Sequence, residues 1–199
     1  WHDTGGFDNI IPGLKSGRYD VALSNINATQ KRLDQVDFVS YFDASRLGVI
    51  SRQDAGIKPF TQLTEACGLE IGAGAGTTQL TRLSDASKAC EAEGKPAIKI
   101  ATFPDRPAGV QAVVSGRVPM FFGPYEGLTW QVNKVKALTM SGQISVNDAP
   151  VSIAFPKGSE LEVPVQAALN ALIADGTYQK ILDHWSIGYG AVPASKLNG

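Results

Sequence analysis

Residues Ser24 to Arg32, SNINATQKR, set a serine, two asparagines and a threonine ahead of a basic pair. Such a set can grip a carboxylate. Arg32 offers a planar fork of N–H donors that matches a carboxylate through two parallel bonds. Ser24, Asn25 and Asn27 add neutral donors and acceptors. Thr29 is placed to cap a helix, whose first N–H groups lack internal partners and attract an anion. A plainer reading, a solvated Lys31–Arg32 pair on a helix face, fits the same residues, and spacing alone does not separate the two.

A second stretch, GAGAGTTQ (72–79), leaves an apolar run and opens a helical pattern. It lacks the lysine of a phosphate loop. Thr77 and Thr78 can still cap the helix and present N–H and hydroxyl groups, and the glycines let a ligand approach the backbone. An ordinary strand-to-helix turn would look the same. Catalytic constellations are scarce. There is no GxSxG, His2 and His184 are far apart, and Glu160 and Glu162 read as helix-capping acids. No catalytic residue, metal site or cofactor is expected.

Strand and helix patterns alternate along the chain, which predicts an α/β fold with mainly parallel sheets. FDNIIPGLKSG, ATQKRLDQV, TQLTRLSDASKAC, PAGVQAVVSG, VQAALNALIADG and TYQKILDHW read as helices. The last should turn Tyr178, Ile181, Leu182 and Trp185 inward. Ser159 with Glu162 suggests a capping box. YDVALS, RLGVIS, LEIGAG, AIKIA, RVPMFFG and APVSIAF read as strands, and the tail from Gly188 reads as loose surface chain. LKSGRYDVALS and VVSGRVPMFFG repeat a helix end, Ser-Gly-Arg and an apolar strand about half the chain apart, which suggests two lobes built alike. Ligands of such sheets bind beyond the carboxyl ends of the strands. Those exits are SNINATQKR, GAGAGTTQ and GPYEG.

The 199 residues carry 18 basic and 19 acidic side chains, a balance unlike that of a nucleic-acid binder. No apolar run reaches the roughly 18 residues of a membrane span. The chain opens at WHDTGGFDN without a signal peptide or methionine, and reads as a mature, processed or truncated product. Its two cysteines, Cys67 and Cys90, are either bridged or two buried thiols. A bridge would stabilise the fold by roughly 3 kcal/mol and place the protein outside the cytoplasm.

The run FDNIIPGLKSGRYDVALSNINATQKRLDQVDFVSYFDA resembles the amino-acid-binding branch (family 3) of extracytoplasmic solute-binding proteins that feed ABC importers. CGLEIGAGAGTTQ, VVSGRVPM and ADGTYQKILDHW are similar to further motifs of that family, so the likeness runs through nearly the whole chain. The resemblance implies a two-lobed type II periplasmic-binding-protein fold. Lobe 1 would comprise residues 1–44 and 150–199, lobe 2 residues 45–149, with crossover strands near Ser45–Ile50 and Pro150–Phe155. It implies binding of an amino acid or related small carboxylate, an ABC permease as partner, a periplasmic or cell-surface location, and no enzymatic activity. The alternatives are a dehydratase-like enzyme on the same fold, with Glu126 as its acid or base, and a sensor ectodomain.

By the same resemblance Arg32 clamps the carboxylate, flanked by Ser24, Asn25 and Asn27. Phe7 packs on the ligand, Thr77, Thr78 and Gln79 close from lobe 2 beside Tyr125, and Cys67 pairs with Cys90. Two departures stand out. The family's first strand and helix have no counterpart ahead of Trp1, so lobe 1 is expected to be incomplete and to call for a partner chain or a swapped copy of itself. The family's usual ammonium-binding aspartate falls at or beside Pro124, which cannot hold a cation; either Glu126, Tyr125 or the missing segment does so, or the ligand carries a carboxylate but no free ammonium there.

Overall fold

The computed structural model describes residues 1–43, 46–146 and 149–198. The expected boundary at residues 44 and 45 lies outside them. The chain forms two compact units, residues 9–45 with 147–199, and residues 1–8 with 46–146.

The first unit holds α1 (Ile10–Lys15), β1 (Ala22–Asn27), α2 (Gln30–Leu33) and β2 (Val36–Phe42). In the second unit follow β3 (Leu47–Arg52), β4 (Glu70–Gly74), α3 (Thr78–Ala92), β5 (Lys99–Phe103), α4 (Arg106–Val114), β6 (Met120–Pro124), α5 (Tyr125–Lys134) and β7 (Leu138–Ile144). The chain then returns to the first unit with β8 (Val151–Pro156), α6 (Glu162–Ala174) and α7 (Thr177–His184). The sheets run β1-β8-β2 and β5-β4-β6-β3-β7.

The sheets are mixed rather than mainly parallel. β8 pairs antiparallel with both β1 and β2. β3 pairs antiparallel with β6 and β7, while β4 is parallel to β5 and β6. Strand-helix alternation along the chain reports crossovers. It says nothing about a strand such as β8, which arrives from a distant part of the chain and inserts between two parallel neighbours.

The repeated Ser-Gly-Arg segments fold alike. Gly17 and Gly116 adopt φ of 71° and 74°, the left-handed region that glycine enters without a Cβ clash. The Arg18 N–H donates to Gly13 O and the Arg117 N–H to Ala112 O, both at 2.9 Å. The two glycine N–H groups donate to Leu14 O and Val113 O. This paired closure ends α1 and α4 and satisfies their last carbonyls before the chain enters β1 and β6.

The five-stranded sheet is covered on both faces. Val49, Ile71, Met120 and Phe122 point to the α3 side with Leu83, and Ile50 and Phe121 to the α4 and α5 side with Val110, Val113 and Leu128. Successive residues of a strand face opposite ways, so burial on both faces produces continuous apolar runs such as Met120-Phe121-Phe122. The disulfide Cys67–Cys90 ties the turn before β4 to α3.

Several sequence expectations fail locally. α2 is a single turn, because β2 begins at Val36. α6 begins at Glu162 with no side-chain cap, although the Ser159 hydroxyl accepts from the Leu161 N–H. In α7, Tyr178 and Leu182 are buried, but Ile181 and Trp185 are half exposed at 51% and 59%. The Tyr178 hydroxyl donates to Tyr41 O at 2.7 Å and accepts from the Val192 N–H at 3.1 Å, which sets the rotation of the helix. The tail is not loose. Asn198 Oδ1 accepts from the Phe38 N–H at 2.8 Å, its N–H donates to Phe38 O, and the Ser195 hydroxyl donates to Ser40 O at 2.6 Å. It lies along the outer edge of β2, a position held by backbone and short polar groups that leave no hydrophobic periodicity.

Candidate ligand-binding residues in the two units

In the three-stranded unit the candidate residues gather at the end of β1. Its register against β8 shifts between Ala22 and Ile26, so Ser24 and Asn25 lie in an irregular stretch of the kind that re-aims side chains. Ser24 is exposed, and its carbonyl accepts from the Tyr41 hydroxyl at 2.9 Å. Asn25 is partly buried, and its Oδ1 is buried with no hydrogen-bond partner among the described residues. Asn27 is buried and donates from Nδ2 to Ala149 O at 2.9 Å, pinning the end of β1 to the start of β8. Arg32 is only 8% exposed, and its Nη1 donates to Asn27 O at 3.0 Å.

Arg32 is therefore no solvated surface cation. The turn of α2 folds it back against the residue that ends β1. Thr29 holds the N-cap position in extended conformation but makes no side-chain cap bond. With α2 only one turn long, the helix dipole adds little here, and the guanidinium itself is the anion-attracting group.

In the five-stranded unit the β4 exit is a capped helix start. The Thr77 hydroxyl donates to Gly74 O at 2.7 Å and accepts from the Leu80 N–H at 3.2 Å. Thr78 opens α3 and Gln79 is buried in its first turn. Gly76, at φ 69°, is packed by Asp8: a Cβ there would lie 2.8 Å from the Asp8 Cβ. Phe7, the neighbour of Asp8, is partly buried and belongs to the same unit. Tyr125 begins α5, its N–H donates to Arg46 O at 2.8 Å, and its ring covers Gly48. Pro124, the last residue of β6, offers no side-chain acceptor. Glu126 follows in the first turn of α5 with its Oε2 buried.

Residues 2–188 match the bacterial extracellular solute-binding proteins, family 3. The chain belongs to that family. It is 30% identical over 190 residues to the ABC transporter arginine-binding protein 1 of Escherichia coli, covering 90% of this chain and 71% of that protein. It is 26% identical over 195 residues to the arginine-binding protein ArgT of Corynebacterium glutamicum, covering 96% of this chain and 62% of ArgT. Among solved structures, an ancestral arginine-binding protein bound to arginine superposes with a TM-score of 0.76 at 28% identity, over 90% of this chain and 77% of that one. The glutamine-bound ancestral protein gives 0.79 at 26%, over 92% and 77%. The fold is that of the type II periplasmic binding proteins.

Within this family 3 chain, a further charged residue stands at a strand exit. Arg106 opens α4 at the exit of β5, and its guanidinium lies against Gly127 in the first turn of α5. Burial pushes its pKa below the usual arginine value, and the charge of Glu126 only partly offsets that. FPDRP carries a signal of its own in the sequence, a helix-capping aspartate and an arginine just after a strand. Among the described residues no group of His, Cys, Asp or Glu is placed to hold a metal ion, and no helix is long and apolar enough to cross a membrane.

Proposed function

We propose that this chain is the ligand-binding part of a solute receptor for an ABC importer, working outside the cytoplasm and taking an amino acid or related small carboxylate without turning it over. One observation carries the reading. Arg32, buried and held by Asn27 O, sits in the same short segment as Asn25, whose buried Oδ1 has no hydrogen-bond partner among the described residues. Leaving a buried acceptor unmet costs stability, and a ligand bringing an N–H donor offsets it; the planar fork of Arg32 matches the same ligand's carboxylate. In this reading Thr77, Thr78 and Gln79 supply N–H and side-chain groups from the start of α3, Tyr125 contributes its ring and hydroxyl, and Phe7 packs against the ligand's apolar atoms. Family membership and the arginine-binding relatives support the ligand class.

Calorimetric titration with the common amino acids should give saturable binding with no product formed. Arg32→Ala should lose about 2–5 kcal/mol of binding free energy, as when one partner of a buried charge pair is removed. Equal binding by Arg32→Ala would overturn the clamp, and release of a chemically altered ligand would overturn the receptor.

A further inference from the structure

We propose that Arg106 determines ligand specificity: with Glu126 it makes the β5 and β6 exits of the five-stranded unit select a ligand carrying a second acidic group, and reject one carrying a second cation. This rests on the carboxylate-receptor reading above and names the ligand class within it.

The charges at that end of the sheet can be followed residue by residue. β4, β5 and β6 all leave the sheet there, and each leads directly into a helix: α3, α4 and α5. Each helix start brings partial positive charge from its unpaired N–H groups. The Tyr125 N–H donates to Arg46 O at 2.8 Å, which brings the backbone at the start of β3 to the same end. Three carboxylates stand against these. Asp105 accepts from the Ala108 N–H at 2.7 Å and caps α4. Asp8 packs at the β4 exit against Gly76. Glu126 acts on Arg106, stabilising its charged form. At Pro124, the residue that ends β6, there is no carboxylate at all.

Arg106 is also held in place. Its guanidinium occupies the space that a side chain at position 127 would need, with Cζ 2.8 Å from where a Cβ would stand. Glycine at 127 thus seats a partly buried cation between two helix starts, where helix dipoles disfavour it. Among the described residues Glu126 is the charge that acts on it, and burial still outweighs the effect of that carboxylate. An additional anion lowers the energy of this arrangement, and an additional cation raises it. An acidic amino acid complements the pair: its ammonium suits Glu126 and its side-chain carboxylate suits Arg106. Arginine would bring a guanidinium toward a guanidinium.

The test is a calorimetric panel of L-glutamate, L-aspartate, L-glutamine and L-arginine on the protein and on R106Q, G127A and the charge-neutral double variant R106Q/E126Q, each first checked by thermal melting. The protein should bind glutamate or aspartate at least about tenfold tighter than arginine, a difference of about 1.4 kcal/mol. R106Q should lose about tenfold or more for the acidic ligand while glutamine changes by less than about threefold. G127A, which displaces the guanidinium and keeps its charge, should shift the ranking in the same direction. If R106Q does not fold, the double variant should bind glutamine and show no acidic preference. Tighter binding of arginine by the unaltered protein overturns the proposal, as does equal weakening of glutamate and glutamine in R106Q or retained acidic preference in the double variant. Each of these three results leaves the Arg32 receptor reading standing. A folded protein that binds none of the four also overturns the proposal, while the receptor reading is decided by its own titration with the common amino acids.

Discussion

At the scale of single residues, Arg32 and Arg106 stand in unlike settings. Arg32 is oriented by a neutral carbonyl, Asn27 O, and its value to a ligand lies in the planar fork. Arg32→Lys keeps the charge and loses the second parallel bond, so titration should show affinity weakened by about 1.5–3 kcal/mol, the worth of one charged hydrogen bond. Two carboxylates meet at the base of the three-stranded sheet. Asp37 accepts from Lys157 Nζ and the Gly158 N–H, both at 2.8 Å. Burial raises its pKa, yet these partners together outweigh burial and hold it below its ordinary value of 3.8. Glu162 beside it is raised above 4.5, first by burial and then by the charge of Asp37. The signs oppose. Asp37 contributes stability that is lost as pH falls below 3.8. Glu162 lowers stability as pH rises above 4.5, because the unfolded chain releases that proton first. Glu162→Gln should flatten the decline in melting temperature above pH 4.5 and leave the acid limb intact, read by thermal melts across that range.

Secondary-structure elements show where local rules sufficed. The Ser-Gly-Arg repeat was legible because a helix stop of this kind is nearly self-contained: the glycine φ and two backbone bonds define it. Around Gly17 nothing lies within 4 Å of an added Cβ, so Gly17→Ala isolates the backbone term and should cost about 1–2 kcal/mol in urea unfolding. Gly116→Ala should cost about the same, because its nearest neighbour, Arg52 Nη1 at 3.0 Å, ends a flexible, partly exposed side chain that can move aside. The bridge from Cys67 to Cys90 closes a loop of 23 residues' separation. Reducing it should lower unfolding free energy by about 3 kcal/mol in the chain-entropy picture, measured with and without a thiol reductant. By contrast α2, α5, β7 and the inward face of α7 were misread or unread. Ile181 and Trp185 have the spacing of a buried stripe, but two hydrogen bonds on the Tyr178 hydroxyl decide which stripe turns inward. Arg106 went unseen for a related reason, since its setting depends on the absence of a side chain at residue 127, on another helix.

For the molecule as a whole, the tail is the clearest case of structure made at long range. Residues 195–198 bond to Phe38 and Ser40, some 155 to 160 positions earlier, and cover the edge of β2. Asn198→Ala removes the acceptor for the Phe38 N–H, so amide exchange at Phe38 should quicken by at least about tenfold while amides of the five-stranded sheet stay unchanged. Family and fold class are readable from the chain because they reside in contiguous motifs, and the proposed clamp draws on one of them: SNINATQKR places its polar groups within nine residues of one another. Strand order, the antiparallel insertion of β8, the docking of the tail and the seating of Arg106 against Gly127 were not. Each joins residues far apart along the chain, and a one-dimensional pattern records what a segment prefers to form but carries no distance between segments. Packing decides that, by bringing together whichever distant groups leave the fewest buried donors and acceptors unmet.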